Sequence, residues 1–196
     1  MLKEYFNSKA DIWDESVTER DTAKLERMAE RLRLKPGATV LDVGTGTGVF
    51  LPFILGKVGI NGRVVALDIA DAMLQKAWEK GFNGNIDYLQ ADIGGIPLLG
   101  EIFDCVICYS SFPHFRDKLI AFNEIYRVMK AGGRLHICHT SSRAAINEVH
   151  ASIPEVENDI LPDAAEMERL LSEAGFSGIK VEDCSSYYLA SAAKPF

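Results

Sequence analysis

The stretch that most constrains this chain is Val40 to Phe50, VLDVGTGTGVF. The short apolar, β-branched approach from Ala38 to Leu41 predicts a buried strand. Asp42 closes it, and Gly44, Gly46 and Gly48 follow at every second position. A strand emptying into a Gly-rich turn and then a helix, here about Phe50 to Val58, is the nucleotide-binding opening of a doubly wound α/β sheet. Glycine permits positive φ in the turn and lets a ligand approach the backbone. The helix behind it aims free N–H groups at the loop. A dinucleotide loop is G-x-G-x-x-G; this one is G-x-G-x-G with a carboxylate beside it, which repels a pyrophosphate and attracts a cation. The spacing therefore predicts a cationic, nucleoside-like ligand held by Asp42, Gly44, Thr45, Gly46 and Gly48.

At 196 residues, 47% hydrophobic and 25% charged, the chain fits one globular domain with a real core. A formal net charge of −7 argues against a nucleic-acid backbone as partner, because phosphate binding needs basic clusters. Arg27, Arg31, Arg33 and Lys35 lie on or near one amphipathic segment and read as its solvated face. No apolar run of ~18 residues predicts a membrane span, and the first residues lack an apolar signal core. The four cysteines form no disulfide framework, so a cytoplasmic location is expected. Cys105 and Cys108 have C-x-x-C spacing, but residues three apart on a strand face opposite sides; they read as buried thiols.

Along the chain, Thr18 to Asp21 predicts a helix start, with Leu25, Met28, Ala29 and Leu32 at helical spacing. Before it, Tyr5, Phe6, Ile12 and Trp13 form an aromatic-rich segment, either a helix packed on the sheet or a lid over the site. Strand two, Arg63 to Asp68, ends in an acid about 20 residues past the last loop glycine, where a ribose-binding carboxylate is expected. Ile69 and Met73 beyond it suit the face of a nucleoside or the core. Strand three, Ile86 to Asp92, again ends in an acid, with Ile93 next. Strand four is Ile102 to Tyr109. A helix is expected over Lys118 to Lys130, stopped by Gly132 and Gly133, then strand five over Arg134 to Cys138. A short helix (Arg143 to Ser152), a loop to Pro162, a helix (Asp163 to Ala174) and strands over Gly178 to Asp183 and Ser186 to Ala193 complete the reading.

VLDVGTGTG resembles motif I of the class I S-adenosylmethionine-dependent methyltransferases. DIADAML resembles that family's D-x-S-x-x-M-L, with Ala70 in the serine's place. FDCVICYSSFPHF resembles its fourth strand and the substrate-facing residues after it. FNEIYRVMKAGGRLHI is similar to L-x-E-I-x-R-V-L-K-P-G-G-x-L, with Ala131 for proline. The resemblance covers residues 36–196; motif I and the NEIYRVMKAGG segment are its specific parts. It implies a single-domain, Rossmann-like doubly wound sheet of seven strands in the order 3-2-1-4-5-7-6, strand 7 antiparallel. It also implies an N-terminal helical lid over 1–35, a core over 36–196 and a substrate-side insertion over 141–162. The cofactor implied is S-adenosyl-L-methionine, leaving S-adenosyl-L-homocysteine. Its ribose falls to Asp68, its adenine to Asp92 and Ile93, and Ile69, Met73 and Tyr109 complete the set. The acceptor implied is a small molecule.

The histidines mark the acceptor side. In that strand order, His114 after strand four and His139 at the end of strand five emerge at one edge of the sheet. His150 follows on the short helix, with Asn147 one turn earlier. The three are the candidate substrate-side catalytic residues. Together they would hold a divalent metal, or one would act as a general base, or they bond loops; no other metal set is seen. His136, inside strand five, reads as structural. Two other functions stay open. One is a nicotinamide-dependent oxidoreductase, disfavoured by the loop spacing. The other is a non-catalytic S-adenosylmethionine-binding or partner-dependent subunit.

Overall fold

The structure, a computed structural model, describes residues 2–16 and 21–196. The strands are β1 (Thr39–Val43), β2 (Arg63–Asp68), β3 (Ile86–Gln90), β4 (Phe103–Tyr109), β5 (Met129–His139), β6 (Ser177–Cys184) and β7 (Tyr187–Ala193). They form one sheet in the order β3-β2-β1-β4-β5-β7-β6. The first five pair in parallel, and β7 runs antiparallel to both β5 and β6. The order reverses between β1 and β4, so a crevice opens at their carboxyl ends.

Helices cover both faces: α3 (Thr22–Leu32), α4 (Leu51–Val58), α5 (Asp71–Glu79), α6 (Lys118–Val128), α7 (Arg143–Ala151) and α8 (Ala164–Glu173). Strands buried on both faces carry near-continuous apolar runs, and β1 shows why. Leu41 and Val43 face one core with Val106, Cys108 and Phe122. Val40 faces the other with Cys105, Ile107 and Leu51. Cys105 and Cys108 thus lie on opposite faces, and both thiols are free. The α3 helix buries Leu25, Met28, Ala29 and Leu32, as the spacing predicts, with Asp21 as its N-cap, accepting from the Ala23 and Lys24 N–H groups. The expected helix start also included Thr18, Glu19 and Arg20, which lie outside the described residues.

Two boundaries differ from the sequence reading by more than one residue. The helix expected to run to Lys130 ends at Val128, and β5 starts at Met129 with Gly132 and Gly133 inside it. Pairing decides this: Met129 lies opposite Phe103 on β4, and Lys130 reaches Asp104 at 2.8 Å. Tertiary pairing overrides the helix propensity of V-M-K. Likewise β3 stops at Gln90, the last residue paired with β2, leaving Asp92 in the following turn, where its own Oδ1 accepts from the Gly94 N–H at 2.8 Å.

The N-terminal segment forms α1 (Leu2–Lys9) and the short α2 (Trp13–Ser16). Polar contacts fasten it to α5. Asn7 Oδ1 accepts from the Ala72 N–H at 3.0 Å, Lys3 pairs with Asp71 at 2.8 Å and Asp11 with Lys76 at 2.8 Å. Among the described residues, no helix is long and apolar enough to cross a membrane.

Candidate functional site

A cavity of about 140 Å³ opens at the carboxyl ends of β1, β2 and β4. A larger one, about 390 Å³, lies at the opposite edge of the sheet, among the loops around Pro36 and Gly132. Size alone favours the second, but in open α/β sheets ligands bind outside the strands' carboxyl ends at the switch point, and the chemistry-bearing loops converge on the first.

The Gly loop forms the floor. Gly44 (φ +68°) approaches the segment after β4 so closely that a Cβ there would stand 2.4 Å from Ser111 Cβ. Ser111 in turn donates to the Val43 carbonyl at 2.6 Å. At Gly46 (φ +55°) a Cβ would meet only the Trp13 ring, at 3.8 Å, so this glycine keeps the floor open. Gly48 does not line the cavity: a Cβ there would strike Phe82 and Leu51, and its lack of a side chain serves packing.

Asp42 lies beneath the loop rather than in the lining, 2% exposed. Thr45 Oγ1 donates to its Oδ2 at 2.6 Å. Burial pushes its carboxyl up to about 7, with the Thr45 bond opposing and the nearby Asp68 charge adding to the rise. Asp68, at the end of β2, receives the Gly46 N–H on Oδ2 and the Ala70 N–H on Oδ1, each at 2.8 Å. Burial raises its pKa, opposed by these backbone bonds. Ile69, Met73, Asp92 and Ile93 line the same cavity, as do Thr45 and Tyr109. The Tyr109 hydroxyl meets Thr140 Oγ1 at 3.0 Å, and its ring stacks on Phe50 at 4.6 Å.

The roof is N-terminal. Leu2, Phe6 and Trp13 line the cavity from above. Thr47 Oγ1 donates to Asp14 Oδ1 at 2.5 Å, and Lys80 binds Asp14 Oδ2 and the Thr47 carbonyl, each at 2.7 Å. Sequence reasoning found the aromatic roof residues but missed this clasp. Its signal, an acid beside Trp13 and a lysine ending the helix after β2, is too common to be read alone.

Of the three candidate histidines, His114 and His150 come together and His139 lies apart. His114, from the 3₁₀ turn Phe112–His114, lines the cavity. Its Nδ1 lies 2.7 Å from Asp159 Oδ2, its ring meets Phe6 edge to face at 5.1 Å and the His150 ring stands 4.9 Å away. His150 Nδ1 donates to the Asp159 carbonyl at 2.5 Å, and burial lowers its pKa. His139 is 1% exposed, outside the lining, with the Tyr188 ring 6.4 Å from its own. Among the described residues, no three His, Cys, Asp or Glu side chains are placed to hold a metal ion. His136 is buried, its Nδ1 2.8 Å from Ser191 Oγ. Asp159, absent from the sequence reading, joins the segment after α7 to the cavity-lining His114.

The arrangement suits a sulfonium nucleoside. The loop and strand ends present carboxylates, an open glycine and apolar faces. The Asp68 carboxylate, bonded by backbone N–H groups, also faces the cavity.

Comparison with known proteins agrees. The family described as "Methyltransferase domain" matches residues 41–137. The ubiquinone/menaquinone biosynthesis C-methyltransferase UbiE of Enterobacter sp. (strain 638) is 35% identical over 138 residues, 68% of this chain and 55% of that protein. The chain thus spans about half the length of the curated relatives it matches. A SAM-dependent methyltransferase from Aquifex aeolicus superposes with a TM-score of 0.75 at 27% identity, covering 95% of this chain and 97% of that one. The fold also matches a Haloferax volcanii putative methyltransferase complex with the Trm112 methyltransferase activator, at a TM-score of 0.81 and 19% identity, covering 97% and 98%.

Proposed function

The chain belongs to the class I S-adenosylmethionine-dependent methyltransferases, and on that premise we propose that it transfers a methyl group from S-adenosylmethionine to a small-molecule acceptor, leaving S-adenosylhomocysteine. The observation that carries this reading is the carboxylate-lined, glycine-floored cavity at the sheet's switch point. A sulfonium donor supplies an electrophilic methyl carbon and keeps the C–S electron pair on a neutral thioether. The protein must hold donor and acceptor in line and exclude water.

In this reading Asp68 accepts from the ribose hydroxyls, and Asp92 with the Ile93 N–H meets the adenine edge. Ile69 and Met73 pack on the base. The Thr45 and Gly46 backbone and Tyr109 flank the methionyl part, with Asp42 as the buried counter-charge beneath. The α1–α2 segment acts as the lid, and residues 141–162 form the acceptor side with His114. Four free cysteines fit a cytoplasmic location.

The test is incubation with isotopically labelled donor and a metabolite extract, read by mass spectrometry. A labelled methyl group on an acceptor, with S-adenosylhomocysteine formed in step, supports the reading; S-adenosylmethionine failing to bind at all refutes it. A second reading is favoured by the Haloferax neighbour, solved with an activator: the chain methylates only alongside a partner subunit. Turnover by the purified chain alone rules that out.

A further inference from the structure

We propose that Asp159 and His150 set His114 as the proton acceptor of this site, and that the methyl acceptor is a phenol- or enol-type hydroxyl compound that gives up a proton. The proposal rests on the methyl-transfer reading and adds the acceptor's chemical class.

The segment after α7 is held in place by α7 itself. Asn147 Oδ1 accepts from the Leu161 N–H at 2.9 Å, and its Nδ2 donates to the Leu161 carbonyl at 3.1 Å. One turn later on the helix, His150 Nδ1 reaches the Asp159 carbonyl at 2.5 Å. A carbonyl only accepts, so Nδ1 of His150 carries the proton. Two side chains of one helix face thus clamp the backbone on both sides of Ile160. The clamped segment delivers the Asp159 carboxylate to His114 Nδ1 at 2.7 Å.

A carboxylate on Nδ1 fixes the tautomer. It holds the proton on Nδ1 and leaves Nε2, the other ring nitrogen of a cavity-lining residue, with its lone pair. It also stabilises the imidazolium that forms when Nε2 takes a proton. The charged and titratable groups facing His114 are Asp159 from this segment, His150 from α7, and Asp68 from β2, whose carboxylate senses the His114 charge. Lys118 of α6 senses Asp159, and Arg116 lines the same cavity.

A held base matters only to an acceptor with a proton to lose; a tertiary amine or thioether would leave it idle. The lining beside it is aromatic, with Phe6, Trp13 and Phe115, and Arg116 supplies a cation. Flat conjugated rings suit the first, and the anion left by deprotonation suits the second. The hydroxyl proton passes to Nε2, and the freed electron pair makes the bond to the methyl carbon from oxygen or from the conjugated carbon. In the second case that carbon sheds its own proton as the hydroxyl reforms, so one proton leaves either way. The positive charge lost at sulfur reappears on His114.

The test compares wild type with Asp159→Asn, Asp159→Glu and His150→Gln, each checked for an unchanged far-UV spectrum and S-adenosylhomocysteine affinity. Imidazole ¹⁵N NMR is expected to show His114 as the Nδ1–H tautomer in wild type and a mixture in Asp159→Asn. Against a panel of phenols, enolisable diketones, tertiary amines and thioethers, wild type is expected to turn over only the first two classes. Asp159→Asn is expected to lose about 10- to 100-fold in kcat with little change in KM and a displaced acid limb of the pH profile, partly restored in Asp159→Glu. An unchanged His114 tautomer in Asp159→Asn, an undiminished kcat, or a panel in which no phenol or enol is methylated overturns the proposal. Failure of wild type to bind S-adenosylhomocysteine instead removes the methyl-transfer reading beneath it.

Discussion

The Asp68 carboxylate accepts the Gly46 backbone N–H at 2.8 Å, tying the end of β2 to the middle of the glycine loop that follows β1. The loop is therefore set by a cavity-lining carboxylate as much as by its own glycines. A loop tied in this way has less freedom to lose on binding.

Two loop glycines are expected to fail differently. Gly44→Ala puts a Cβ 2.4 Å from Ser111 Cβ at φ +68°, and Ser111 is itself tied to the Val43 carbonyl. A loss of about 3 kcal/mol in stability is expected from strain plus overpacking. Gly46→Ala meets only Trp13 at 3.8 Å, so it costs the left-handed backbone penalty of about 1–2 kcal/mol while placing a methyl group on the cavity floor. Chemical denaturation should separate the two, and S-adenosylhomocysteine titration should show Gly46→Ala weakened despite its milder destabilisation.

Asp42 gives a pH signature. Its folded pKa, about 7, lies above the ordinary 3.8, so the folded state binds the proton more tightly than the unfolded chain. The associated stability is full below about pH 4 and is lost as pH rises through about 7. Against Asp42→Asn, the unliganded wild type should lose ground steadily across that window in urea melts. A cationic ligand favours the ionised carboxylate, so wild-type affinity should rise about 10-fold between pH 5 and 8. The Asn variant should bind more weakly and show a flat profile.

The clasp at Asp14 is testable through Trp13. Asp14 joins Thr47 of the loop and Lys80 after α5. Asp14→Ala is expected to loosen α2, shift Trp13 emission to the red and speed ligand release about 3- to 10-fold, roughly the net worth of one hydrogen bond. Trp78, 62% exposed, reports independently and should stay unchanged; stopped-flow fluorescence measures both.

Much of the sheet was legible because parallel strands buried on both faces write themselves as apolar runs ending in Asp42, Asp68 and, nearby, Asp92. The strand order came from resemblance, since no local pattern encodes which strands are neighbours. The Met129 boundary was not legible, because pairing with Phe103 overrules a good helix sequence. Asp159 was invisible for the same reason: nothing in INEVHASIPEVENDILP says that its carboxylate folds back onto His114, 45 residues earlier. Gly48 was readable as a glycine the fold needs, but not as one that faces Phe82 instead of the cavity.

The most direct measurement is calorimetric titration of wild type, Asp68→Ala and Asp92→Ala with S-adenosylhomocysteine and with NADH. Wild type should bind S-adenosylhomocysteine and not NADH. Each variant should lose about 10-fold or more, the worth of one or two charge-assisted hydrogen bonds. NADH binding to the wild type, or undiminished S-adenosylhomocysteine affinity in a folded Asp68→Ala protein, would contradict the account.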